Sequence, residues 1–223
     1  MTIGPFELDM VVNMDCLDAM RQMPDGCVDL VWCDIPYNVG KNYGTVRDDY
    51  ADAEYLGLVG QWIAGMKRVS NNRIALYTPQ KYIQQIWGML GPDFRQIILS
   101  YSPEGAIRWG FNNQFSSILV NVKPITYTKN VWHNCQIPGL GFFFRENIWG
   151  HPGYTSEDVT ERVIAAFTKR GEIILDPFMG SGTTAVICHR TDRRFIGFEK
   201  DPGSFAIANK RIENERAQLR LEI

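Results

Sequence analysis

Short apolar runs alternate with helix-length amphipathic stretches along most of this chain, and that alternation constrains its fold more than any other feature. Short apolar runs bounded by turn residues suit strands buried on both faces, and a helical stretch between runs supplies the crossover that parallel strands need. The predicted strands are Met10 to Asn13, Val28 to Cys33, Arg73 to Tyr77, Gln96 to Tyr101, Ser117 to Val122, Glu172 to Leu175 and Arg194 to Phe198. Between Ala53 and Val69, the residues Tyr55, Val59, Trp62, Ile63 and Met66 recur at helical spacing. Val159, Val163, Ile164 and Phe167 do the same, after Thr155 and Asp158 at the spacing of a capping box. Asp201-Pro202 reads as the N-cap and first turn of a last helix. The expected fold is therefore α/β, with a mostly parallel seven-stranded sheet and helices on both faces.

A length of 223 residues with 45% hydrophobic content suffices for one domain, so a single domain over 1-223 is expected. Charged residues make up 22% and aromatic residues 12%, which excludes a disordered chain, and no apolar run approaches the roughly 20 residues that cross a bilayer. The N-terminus lacks the basic start and apolar core of a secretory signal, so a cytoplasmic location with no membrane association is expected. Five cysteines without a C-x-x-C pair suggest neither a disulfide framework nor a zinc site, and no metal is expected. With a net charge of -2, any nucleic-acid binding must use a local basic face.

Two of the apolar runs end in segments that carry chemistry. Val28-Asp29-Leu30-Val31-Trp32-Cys33 leads into Asp34-Ile35-Pro36-Tyr37, and the run after Glu172 leads into Asp176-Pro177-Phe178-Met179-Gly180-Ser181-Gly182-Thr183-Thr184. In an open α/β sheet, ligands bind outside the carboxyl ends of the strands, where a glycine turn lets the backbone approach closely and a helix start presents unpaired N–H groups. Glu199 lies about 20 residues beyond Gly180, where a carboxylate can accept both hydroxyls of a ribose. The same Gly180-x-Gly182-x-x-Ala185 spacing with Glu199 also satisfies a loose NAD fingerprint, which stands as a rival.

Together the two segments resemble the amino-group DNA methyltransferases that use S-adenosylmethionine (SAM), whose tetrapeptide reads D/N/S-P-P-Y/F/W and whose cofactor loop reads D-P-F-x-G-S-G-T. The resemblance runs from about Asn13 to Ile212. Because the tetrapeptide precedes the cofactor loop, the chain resembles the beta group, with a permuted motif order on a Rossmann-like SAM-dependent methyltransferase fold. It implies catalytic roles for Asp34, Ile35, Pro36 and Tyr37 and cofactor contacts from Asp15, Cys16, Asp34, Asp176, Phe178, Gly180, Gly182, Thr183, Thr184 and Glu199. Asp15 reads equally as the N-cap of a helix from Cys16. Met14 stands where the family has a glycine. His151-Pro152-Gly153-Tyr154 stands where the family often reads H-P-T-Q-K-P, so the hydroxyl of Thr155 or Ser156 would serve near the methionine carboxylate.

An exocyclic amine is a poor nucleophile because its lone pair is delocalised into the base. The resemblance implies that the Asp34 side chain and the backbone carbonyl of residue 35 hold that nitrogen while Tyr37 stacks on the base. Ile35 replaces a proline, which spares the carbonyl but removes a restraint on Asp34. An initial Asp is more usual among adenine N6 enzymes than cytosine N4 enzymes, so adenine in DNA is the expected target. A duplex target would have to be flipped out, at a cost of a few kcal/mol. Tyr37, Asn38, Lys41, Arg47 and Arg145 are the expected substrate contacts, with Arg108, Lys123 and Lys129 as further phosphate candidates and Trp132, His133 and Asn134 as base candidates. The loop Asn38 to Asp52 reads as a mobile cover, and a target-recognition insertion is expected at about 125-149. The beta-group likeness implies that a homodimer can form. A SAM- and DNA-binding regulator without activity is the competing reading, prompted by Ile35, Met14 and the altered His151 segment.

Overall fold

The computed structural model describes residues 1–40, 44–100, 115–125, 131–132 and 155–221. Its strands are β1 (Thr2–Ile3), β2 (Phe6–Glu7), β3 (Met10–Asn13), β4 (Leu30–Asp34), β5 (Ile74–Thr78), β6 (Arg95–Ser100), β7 (Phe115–Val120), β8 (Val131–Trp132), β9 (Ile173–Asp176) and β10 (Arg194–Glu199). The α-helices are α1 (Cys16–Gln22), α2 (Asp52–Val69), α3 (Ile83–Leu90), α4 (Glu157–Phe167), α5 (Thr183–Arg190) and α6 (Pro202–Leu221).

The main sheet has eight strands in the order β3-β10-β9-β4-β5-β7-β6-β8, rather than the expected seven. The extra strand is β8, a two-residue piece of the segment expected to be an insertion, which pairs in parallel with β6. So short a run has no period to read. A separate antiparallel hairpin, β1 with β2, turns at Gly4, whose φ is 56°. Among the described strands of the main sheet, only β7 runs against its neighbours.

Strand β4 shows why the sheet is covered on both sides. Its side chains alternate, Leu30 and Trp32 joining one apolar cluster and Val31 and Cys33 the other, and all four are buried. On the Val31 side, Ala19 and Met20 of α1 pack with Tyr55, Val59, Ile63 and Met66 of α2 and Ile86 of α3. On the Leu30 side lie Val159, Val163 and Ile164 of α4, Ala185 and Ile187 of α5, and Ala208 and Ile212 of α6. Burial of each large aliphatic side chain contributes about 1.5–3 kcal/mol.

One expected start signal is used differently. Helix α4 begins after Ser156, which makes no side-chain capping bond, and Thr155 turns its hydroxyl to Asp34 instead of capping the helix. Asp201 does cap α6, its Oδ2 accepting from the Ser204 N–H at 2.8 Å. No described helix is long and apolar enough to cross a membrane.

The sheet order creates one reversal of winding that matters. From β4 the chain passes through α2 to β5 on one side, and from β9 it passes through α5 to β10 on the other. Since β4 and β9 are adjacent and parallel, their carboxyl ends open a crevice between the diverging connections. Both motifs stand at that crevice.

Candidate active site

Pairing of Val31 with Leu175 puts Asp176 level with Trp32, so Asp34 stands two residues farther along the adjacent strand, about 7 Å at the usual strand rise. The two carboxylates feel one another. Asp176 is buried and its carboxyl is pushed up to about 7, first by burial and further by the negative charges of Asp34 and Glu199. Hydrogen bonds from the Phe178 N–H at 3.0 Å and the Thr184 hydroxyl at 2.5 Å pull the other way. The Asp34 carboxylate accepts from the Thr155 hydroxyl at 3.1 Å, a contact that joins the start of α4 to the end of β4.

The residues around Asp34 are held one by one. Ile35, 2% exposed, sends its side chain into the core beside α2. The Pro36 carbonyl accepts from the Tyr55 hydroxyl at 2.7 Å. Tyr37 lies parallel to Tyr77 of β5, with ring centroids 6.4 Å apart and planes 11° from parallel. Asn38 adopts a left-handed φ of 56°, donates from Nδ2 to the Tyr50 carbonyl and the Tyr82 hydroxyl, and accepts from the Tyr50 N–H.

The loop beyond Asn38 is tied down at both described ends. Asp48 accepts from the N–H groups of Asn38 and Val39, while Thr45 donates through its N–H and hydroxyl to Asp201 Oδ1 at 3.1 and 3.2 Å. Asp201 follows β10, so the loop reaches from the end of β4 past the end of β9. Arg47 is half exposed and pairs with Asp49 and Glu54 while its guanidinium covers Tyr50. Lys41 and Arg145 lie outside the described residues, as do Arg108, Lys129, His133, Asn134, the His151 segment and most of the 125-149 insertion. Lys123 is exposed and Trp132 is buried.

On the cofactor side, Gly180 and Gly182 have φ values of 53° and 86°, a conformation that favours glycine. A Cβ on Gly182 would stand 3.1 Å from the Ala208 backbone of α6, a tight contact that the helix would have to yield to. Glu199 accepts from the Gly180 N–H through Oε2 and from the Asp201 N–H through Oε1, both at 2.8 Å. Each oxygen keeps a second acceptor site, so the carboxylate can still take two hydroxyls. Burial pushes its carboxyl up, against the pull of those N–H groups. Asp15 caps α1 by accepting from the Leu17 N–H and pairs with Lys200 at 3.0 Å, while Cys16 is buried and burial raises its thiol. Thr183 and Thr184 are buried with their hydroxyls turned to protein partners, and Phe178 meets the Trp62 ring edge-on at 4.9 Å.

Two supports, Arg211 and Tyr55, escaped the reading of the sequence, and the Thr155 hydroxyl, expected near the cofactor, bonds Asp34. Arg211 on α6, 5% exposed, donates from Nη1 to the Ser181 carbonyl and hydroxyl and to the Thr183 hydroxyl, and from Nη2 to Glu157. Tyr55 read as one apolar position on the helical face of α2. Nothing local distinguishes such residues from ordinary core and surface positions.

A crevice with a glycine turn, a ribose-competent carboxylate and partly desolvated acids suits a nucleoside that carries positive charge near the acids. A family model described as DNA methylase matches residues 28–210. The chain belongs to the N6/N4 DNA methylase family. Members of that family use SAM as methyl donor, and the acid-lined turn fits its sulfonium and ribose. The Type II methyltransferase M.HpaI of Haemophilus parainfluenzae is 27% identical over 92% of this chain and 74% of its own length. The DNA adenine methyltransferase YhdJ of Escherichia coli is 24% identical over 93% of this chain and 83% of its own. Among solved structures, the M1.HpyAVI-SAM complex has a TM-score of 0.66 at 22% identity, covering 91% of this chain and 98% of that one. The cytosine-N4-specific PvuII DNA methyltransferase has a TM-score of 0.68 at 13% identity, covering 92% and 90%. These two structures share the fold. Among the described residues no cluster of His, Cys, Asp and Glu could hold a metal ion.

Proposed function

We propose that this DNA methylase transfers a methyl group from SAM to the N6 amino group of adenine in DNA, by direct in-line transfer within a single methyltransferase domain over 1-223. The adjacency of Asp34 and Asp176 at the crevice between β4 and β9 carries this reading. Glu199 would hold the ribose hydroxyls, the Gly180–Gly182 turn would take the close backbone approach, and Asp15 and Cys16 would border the adenine of the cofactor. Bound SAM supplies a methyl carbon made electrophilic by its positively charged sulfur.

The chain's own work is on the amine. Asp34 and the carbonyl of Ile35 accept its two hydrogens, which draws the nitrogen lone pair away from the ring and toward the incoming carbon. The Pro36 carbonyl already takes the Tyr55 hydroxyl, and the family resemblance assigns the amine to the carbonyl of residue 35. The Asp34 carboxylate would stand beside the nitrogen as it gained positive charge on methylation, and would stabilise that charge until the surplus proton left to solvent. Tyr37 would stack on the flipped base. An aspartate at the head of the tetrapeptide favours adenine, and YhdJ is named as an adenine enzyme. Cytosine N4 is the second reading, because the PvuII enzyme shares the fold.

Incubation with methyl-labelled SAM and unmethylated DNA, followed by nucleoside analysis, tests both. Label in N6-methyladenine supports the proposal, label in N4-methylcytosine replaces it with the second reading, and tight binding of both ligands without transfer indicates a regulator. Asp34→Ala is expected to abolish transfer while SAM affinity stays within about threefold.

A further inference from the structure

Ile35 stands where a proline would restrain the catalytic tetrapeptide, yet the segment is not left loose. Tyr55, on the first turn of α2, is 1% exposed and closes its hydroxyl onto the Pro36 carbonyl at 2.7 Å. Its ring is wedged between Tyr82, at 4.6 Å, and Trp62, at 6.3 Å, so the hydroxyl has little freedom to seek another acceptor. The Pro36 carbonyl belongs to the peptide after the one whose oxygen faces the amine. Fixing it limits rotation about Pro36 ψ and holds Pro36 and Tyr37 in one arrangement.

We infer that Tyr55 is a positioning residue for methyl transfer: its hydrogen bond to the Pro36 carbonyl stiffens, from the following peptide, a tetrapeptide that lacks a proline at residue 35. The inference rests on the catalytic reading of Asp34 and Ile35. An unpaired buried carbonyl costs about 1–3 kcal/mol, so the segment relaxes when the hydroxyl is removed. Misplacement of an acceptor by even part of an ångström lowers the fraction of complexes in attack geometry. Cofactor binding depends on the β9–α5 turn and β10, neither of which Tyr55 bonds.

The test compares the full-length wild type with Tyr55→Phe, Ile35→Pro, the double variant and Asp34→Ala, measuring kcat at saturating SAM and DNA, SAM Kd by calorimetry, and Tm. Tyr55→Phe is expected to lower kcat about tenfold with SAM Kd within about twofold. In the Ile35→Pro background the same change should cost about threefold or less, because proline stiffens the same tetrapeptide through φ of residue 35. Wild-type kcat in Tyr55→Phe, or an equal loss in both backgrounds, overturns the inference. So does a loss of activity that comes with weakened SAM binding and a lowered Tm. If Ile35→Pro does not fold, the split between kcat and Kd in Tyr55→Phe decides alone. Retained turnover in Asp34→Ala would instead sink the catalytic reading itself, and loss there with full kcat in Tyr55→Phe would sink only the inference.

Discussion

Asp176 is the residue at which burial and function meet most directly. Its carboxyl rises from an ordinary 3.8 to about 7 because burial penalises the anion and Asp34 and Glu199 repel it. A carboxyl raised on folding binds a proton more readily in the native chain than in the unfolded one. Its contribution to stability is therefore fully present below about pH 4 and is lost as pH rises toward 7 and through it. The unfolding free energy of the wild type relative to Asp176→Asn, measured by urea titration, should fall between pH 4 and pH 7.5; a flat difference would mean that Asp176 titrates normally. A bound sulfonium would favour the anion, so SAM Kd should tighten over the same rise in pH, and less so in Asp176→Asn.

Asp34 and Ile35 show how much of the site is readable one residue at a time. The Asp34 tetrapeptide and its place after an apolar run are visible in the chain, as is the loss of proline at residue 35. Thr155 illustrates the limit, since its spacing to Asp158 satisfies a capping rule while its hydroxyl lies against Asp34, a residue distant in sequence.

At the scale of elements, the site is held by three helix starts. α2 begins with Tyr55 near its first turn, α4 follows Thr155, and α5 opens at the Gly182 turn. Helix α6 backs the last of these, through the Arg211 bonds and the close approach of Ala208 to Gly182. Gly182→Ala should lower stability by about 2 kcal/mol from its left-handed backbone alone, and should weaken SAM binding more than it lowers kcat at saturating SAM. Denaturant unfolding with calorimetry of SAM binding checks both. Strand periods and the α2 and α4 apolar faces were legible because they repeat; β8 and the β1–β2 hairpin were not, because two-residue strands have no period.

For the whole molecule, the decisive feature is the point where the chain winds in opposite directions from β4 and from β9. That geometry lets a tetrapeptide early in the chain share a crevice with a cofactor loop late in it, whatever the order of the two. The insertion expected from the sequence to read DNA, about 125-149, is short, and the net charge of -2 gives no general attraction to phosphate. We expect a short recognition sequence, or a second subunit that completes the contact. Methylation mapping of exposed genomic DNA, with sedimentation of the enzyme, tests this: a site of about six base pairs or more read by a monomer would contradict it.

The sequence by itself determined the α/β class, the strands long enough to show a period, the two motifs at strand ends and the glycines of the turn, because each depends on neighbours a few residues away. Only the tertiary structure decided that Tyr55 bonds Pro36, that Thr155 bonds Asp34, that Arg211 braces the Gly180–Gly182 turn, and that Asp176 is raised by its surroundings. Those partners are brought together by sheet order and helix packing, so no local pattern records them.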